Sequence, residues 1–131
     1  MARAIHSMIR VFDLERSIAF YREAFGLELV ERLDFDDFTL AYLRNDENDF
    51  ELELTWNRDQ PEPYSHGSGY GHLAVVVEDL AAEHARLEGL GHSPRGVVEM
   101  EHAGKPLAKI FFVSDPDGYA IEVIERGGRF Q

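Results

Sequence analysis

The sequence predicts an α+β fold made of two βαβββ modules, whose curved mixed sheets together form a cleft. Three observations carry this reading. A segment at the start of the chain is repeated 66 residues later, since His6 is matched by His72. Each copy runs straight into a short amphipathic helix with an acidic cap. Each helix is followed by three extended segments divided by turn-forming residues.

The first strand of each module lies in "IHSMIRVFDL" and "YGHLAVVVEDL". His6 is followed seven and eight residues on by Asp13 and Leu14, and His72 by Asp79 and Leu80, with "SMIRVF" and "LAVVVE" between them. Asp13 and Asp79 stand where an N-cap carboxylate accepts from free helix N–H groups. After Asp13 the residues Leu14, Ile18, Tyr21 and Phe25 form one helical stripe that Gly26 stops. After Asp79 the stripe is Leu80, His84, Leu87 and Leu90, stopped by Gly91. Each helix has about three turns.

The remaining strands are expected near 27–35, 37–44 and 49–56, and near 95–101, 107–114 and 119–126. "NDEND" at 45–49 and "SDPDG" at 114–118 are the turns before each module's last strand. The expected organisation is a single domain over 1–131, with modules at about 4–57 and 70–126 joined by a Pro- and Gly-rich linker at 58–69. A module of about 60 residues is marginal alone, so the two should pack together.

Composition narrows the function classes. The chain of 131 residues is 44% hydrophobic and 29% charged, ordinary for a soluble globular protein. No apolar stretch approaches the ~20 residues that span a bilayer, and the N-terminus lacks a secretory apolar core. A cytoplasmic location is expected. With no cysteine, disulfides, thiolate metal sites and cysteine nucleophiles are excluded. A formal net charge of −12 argues against nucleic acid and anionic membranes as partners. It leaves room for a small anionic ligand met by a few local cations.

The repeat extends to carboxylates. The last strands read "FELELTW" and "YAIEVIE", and aligning them matches Glu53 with Glu122. Each module thus offers a histidine on its first strand and a glutamate on its last. Strand alternation places His6, Met8 and Arg10 on one face, with Ile5, Ile9 and Val11 on the other. It likewise sets Phe50, Leu52, Leu54 and Trp56 against Glu51, Glu53, Thr55 and Asn57. Glu122 shares its face with Ala120 and Ile124, where a carboxylate is costly unless paired or metal-bound.

A single strand histidine is more often a surface or hydrogen-bonded residue than a ligand. Two histidines and two glutamates at matching positions are a different matter. Together, His6, Glu53, His72 and Glu122 form an N2O2 donor set. It suits a divalent ion of five or six coordination with added water better than a closed structural zinc site. Open positions for substrate oxygens are what metal-assisted proton abstraction beside a carbonyl requires. His66 reads as a linker residue, His84 as a helix residue at the core edge, and His92 and His102 as loop or edge residues. Arg10 and Asn57 fit either ordinary surface polarity or ligand binding, and Lys105 and Lys109 read as solvated lysines.

"HSMIRVFDLERSIAFYREAFGLELV", "ELTWN", "YGHLAVVVEDL" and "DPDGYAIEVIE" resemble bacterial glyoxalase I, lactoylglutathione lyase, of the vicinal-oxygen-chelate superfamily (the glyoxalase/bleomycin-resistance-like fold). The resemblance covers about residues 4–126. It implies isomerisation of the hemithioacetal of methylglyoxal and glutathione to S-lactoylglutathione through a metal-stabilised enediolate. It places the metal ligands at His6, Glu53, His72 and Glu122. Glu122 would then be the main base, with Glu53 serving the mirror-image face or moving protons between oxygens. It also places glutathione-binding residues at Arg10 and Asn57, and implies a homodimer with active sites shared between subunits. The short form of the family prefers nickel or cobalt over zinc, so nickel is expected.

The segment "HAGKPLAKIFF" (102–112) departs from the family's Gly-rich version. There Lys105 or Lys109 would meet a glutathione carboxylate. Two other readings keep part of the pattern: an epimerase or extradiol-type dioxygenase of the same superfamily, and a metal-free binding or resistance module. Glu53 followed by "LTWN" argues against the first, and the four-donor set against the second.

Overall fold

The computed structural model describes residues 1–131. The chain divides into two compact units, Met1–Ser65 and His66–Gln131, each holding one βαβββ module. The α+β architecture expected from the repeat is the one found.

The first unit runs β1 (His6–Arg10), α1 (Leu14–Phe25), β2 (Glu28–Asp34), β3 (Phe38–Arg44) and β4 (Glu51–Asn57). Its sheet has the order β1-β4-β3-β2, with β1 parallel to β4 and the other neighbours antiparallel. Asp13 caps α1 by accepting from the Arg16 N–H at 3.2 Å. Gly26 ends it in the left-handed region at φ 65°, its N–H donating to the Arg22 carbonyl. Leu14, Ile18, Tyr21 and Ala24 pack with Ile9, Val11, Ala41, Leu43, Leu52 and Leu54 to form the buried set. Phe25 is only half-buried, and Phe20 takes the inner position instead, edge-to-face with Tyr21 at 5.1 Å. Ile5, expected on the inner face of β1, precedes the strand and is exposed, while Phe50 and Trp56 are half-buried.

The second unit repeats the plan: β5 (Leu73–Val77), α2 (Leu80–Gly89), β6 (Val98–His102), β7 (Lys105–Ser114) and β8 (Ala120–Glu125). The sheet order is β5-β8-β7-β6, again with first and last strands parallel. Asp79 accepts from the Ala82 N–H at 3.0 Å. At the C-terminus of α2, His92 N–H donates to the Leu87 carbonyl and Gly91 N–H to the Glu88 carbonyl, both at 3.0 Å. This is the Schellman arrangement, with Gly91 at φ 85°. Leu90 therefore falls past the helix and is exposed rather than part of the stripe.

Three strand boundaries differ from expectation by two residues or more, the first being that of β4, which starts at Glu51 rather than near 49. β6 starts three residues later than expected, because ladder pairing with β7 begins only at Val98↔Ile110. β7 starts two residues earlier, because Ala103 and Gly104, at φ 52° and 75°, form a two-residue turn that lets pairing resume at once at His102↔Lys105. Asp115 organises the turn before β8, its Oδ1 accepting from the Asp117 and Tyr119 N–H groups at 2.9 Å each. No helix of the chain is long and apolar enough to cross a membrane.

Phe111 is 0% exposed on the helix-facing side of β7, with the His84 ring edge-to-face at 5.0 Å. Phe111→Ala leaves a cavity that fixed strands cannot close, and is expected to lower stability by about 3–5 kcal/mol. Denaturant unfolding followed by circular dichroism measures this; a loss below about 1 kcal/mol would mean that the site collapses freely.

Candidate active site

Parallel pairing of β1 with β4 sets Met8 beside Glu53 and Arg10 beside Thr55, so His6, Met8, Arg10, Glu53, Thr55 and Asn57 share one sheet face. From this face the imidazole Nε2 of His6 reaches the Glu53 carboxylate at 2.8 Å. Glu53 is 8% exposed, and it and Asp115 are the two buried acidic residues of the chain. A buried carboxylate with an imidazole nitrogen at this distance holds either a shared proton or a cation.

The second unit repeats the pair. Ala74 stands beside Glu122 across β5 and β8, His72 immediately precedes β5, and its Nε2 lies 3.7 Å from a Glu122 carboxylate oxygen. The structure thus joins His6 with Glu53 and His72 with Glu122. It gathers no group of three or more His, Asp or Glu able to hold a metal ion within one chain.

The donors fit a divalent ion. At a metal–ligand distance of about 2.1 Å, neighbouring donors lie about 3.0 Å apart in an octahedron and about 3.4 Å in a tetrahedron. The first pair is close to the octahedral value, and the second is within a small side-chain rotation of either. Imidazole and carboxylate without thiolate suit an ion of borderline hardness that retains water.

Asn57 is fixed by its amide Nδ2 donating to the Tyr64 hydroxyl at 2.9 Å. Arg10 is exposed on the same face. Across the second sheet the register puts Val76 and Ile124 where Arg10 and Thr55 stand, and Arg126, paired with Glu78, where Asn57 stands. Only the first module keeps polar groups at all three of these places. Lys109 lies 3.8 Å from Glu99, and Lys105 is exposed at the β6–β7 turn.

The model of the Glyoxalase/Bleomycin resistance protein/Dioxygenase superfamily matches residues 3–123. The chain belongs to this superfamily. Two curated lactoylglutathione lyases of the superfamily are similar over almost their whole length. That of Neisseria meningitidis serogroup A is 42% identical, covering 95% of this chain and 91% of the relative. That of Haemophilus influenzae is 39% identical, covering 92% and 90%. Among solved structures, the trypanothione-dependent glyoxalase I of Leishmania major superposes with a TM-score of 0.75 at 35% identity, covering 95% of this chain and 87% of that one. Within the superfamily the chain is a member of the glyoxalase I, or lactoylglutathione lyase, branch of enzymes.

For a superfamily member, three residues near the candidate ligands have no counterpart in the sequence reading. Tyr42 stands across from Glu53 on β3, and Phe112 across from Glu122 on β7. Burial, then the carboxylates of Glu53, Glu31 and Glu51, hold the Tyr42 phenol above its ordinary range, so it remains a neutral donor at physiological pH. Tyr64 is the third, holding Asn57 from the segment after β4. Alternation in "FTLAYLR" and "KIFFVS" separates the faces, but strand register is needed to set these aromatics beside a particular glutamate.

Proposed function

We propose that this chain isomerises the hemithioacetal of methylglyoxal and glutathione to S-lactoylglutathione in the cytoplasm. The observation that carries the reading is the duplicated pair, His6 with Glu53 and His72 with Glu122, each joining the start of its module's first strand to the last strand. These four side chains would hold one divalent ion. The donor set of two imidazoles and two carboxylates suits a divalent ion with water retained, and the short form of the family implies nickel, or cobalt, over zinc. The complete site is assigned to a homodimer in which modules of two chains meet, as the resemblance to glyoxalase I implies. Exposed apolar residues on the edge strands β2 and β6, among them Leu29, Leu33, Val98 and Met100, support an association of that kind.

A divalent ion held by these four residues would supply positive charge that lowers the cost of negative charge developing on the substrate oxygens. Glu122 accepts the proton of the carbon bonded to sulfur and returns it to the adjacent carbon. Glu53 moves the hydroxyl proton from the first oxygen to the second, so that a thioester carbonyl and a new secondary alcohol result with no net gain or loss of atoms. Arg10 donates to a glutathione carboxylate, and Asn57, held by Tyr64, orients the peptide. Binding energy from this remote end keeps the reacting carbon near Glu122.

The test is the thioester absorbance formed from methylglyoxal and glutathione, with trypanothione and bacillithiol run in parallel as alternative thiols. Thioester formation with glutathione is expected. No thioester with any thiol after loading with nickel, cobalt or zinc overturns the reading in favour of another superfamily chemistry or a binding module. Arg10→Ala is expected to raise KM about 10-fold or more, as loss of a charged hydrogen bond does, with kcat little changed. An unchanged KM would remove Arg10 from the binding site.

A further inference from the structure

Each His–Glu pair has an aromatic ring in the same place. Tyr42 is the cross-strand partner of Glu53 and lies edge-to-face with the His6 imidazole at 6.0 Å and 76°. Phe112 is the cross-strand partner of Glu122 and lies edge-to-face with the His72 imidazole at 5.3 Å and 82°. The two modules differ at most face positions around the pairs, where Met8, Arg10 and Thr55 correspond to Ala74, Val76 and Ile124. The ring survives this divergence, and with it the edge-to-face geometry.

A histidine beginning or preceding a strand has few neighbours to fix its ring. His6 is the first residue of β1, and His72 stands outside β5. Both side chains are substantially exposed, at 37% and 40%. An imidazole in that position samples several rotamers unless something packs against it. An edge-to-face aromatic neighbour favours one rotamer severalfold. The favoured rotamer is the one that brings Nε2 toward the glutamate.

We infer that Tyr42 and Phe112 are positioning residues that hold the imidazoles of His6 and His72 toward their glutamates, and that the ring, not the Tyr42 hydroxyl, does this. The hydroxyl has no counterpart on Phe112, whereas the ring is common to both modules. The inference deepens the proposed metal site and rests on it only for its consequence in metal affinity. The orientation of the imidazoles is a property of the metal-free chain.

The experiment therefore has two readouts on Tyr42→Phe, Tyr42→Leu and Phe112→Leu. The first is the imidazole carbon-bound proton shifts of His6 and His72 in metal-free protein by NMR. The second is nickel affinity by competition with a chromophoric chelator. Tyr42→Leu is expected to move the His6 signals toward free-histidine values and to weaken nickel about 10–100-fold, the usual effect of losing a residue that supports a ligand. Phe112→Leu is expected to do the same through His72. Tyr42→Phe should keep both readouts at wild type. Unchanged imidazole shifts in both folded leucine variants overturn the inference, as does a Tyr42→Phe protein that behaves like Tyr42→Leu. If one leucine variant fails to fold, the other module's variant decides the matter. If the imidazole signals respond but wild-type protein binds no nickel, the positioning role stands and the metal reading fails.

Discussion

Glu122→Gln is expected to lower kcat by about 10²–10⁴-fold, the range for removing a positioned general base, while leaving nickel content near that of wild type. Glutamine keeps the size of the side chain and one oxygen donor. It loses the ability to take up a proton from carbon. Glu122 sits in β8 between Ile121 and Val123, which are buried on the opposite face, and shares its own face with the buried Ile124. Its strand neighbours therefore fix it, and the amide should occupy the same place. Stopped-flow turnover alongside elemental analysis separates the two effects. Near wild-type turnover with metal retained would show that Glu122 is not the base. Loss of metal together with turnover would make Glu122 chiefly a ligand. Glu53→Gln should be the milder change with the usual hemithioacetal, since the proton it moves passes between oxygens.

Removal of the divalent ion by chelation should reduce turnover by at least about 10³-fold, corresponding to the several kcal/mol of charge stabilisation that a bound cation supplies. Nickel and cobalt should restore it more fully than zinc. The ground is the resemblance to the short form of the family, which implies nickel or cobalt. Stripping should also lower the melting temperature, because an ion that binds only folded protein stabilises it by mass action. Full activity in protein shown by elemental analysis to be metal-free would rule out the cation reading, whatever the substrate.

What the sequence made legible was local. Asp13 and Asp79 are helix caps because a carboxylate before an apolar stripe has few other uses, and the left-handed Gly26 and Gly91 follow from backbone freedom alone. The histidine and glutamate of each pair were visible because the repeat lent each a second instance. The tightness of the turn at Ala103–Gly104 was not, since alanine rarely takes positive φ. Tyr42 and Phe112 escaped because strand alternation gives a face but not a neighbour, and the β3–β4 and β7–β8 registers depend on the turns that join those strands. Nor did pattern distinguish the buried Glu53 from the half-buried Glu51 two residues before it. Glu53 stands between Met8 and Tyr42 across the strands, whereas Glu51 begins β4.

In both sheets the opening strand lies beside the closing one, so each donor pair unites residues from opposite ends of its module. During synthesis, the histidine leaves the ribosome long before the glutamate that completes its pair. A module short of its last strand therefore lacks the carboxylate half of its pair, and capture of a cation by that pair must wait until the last strand has docked beside the first.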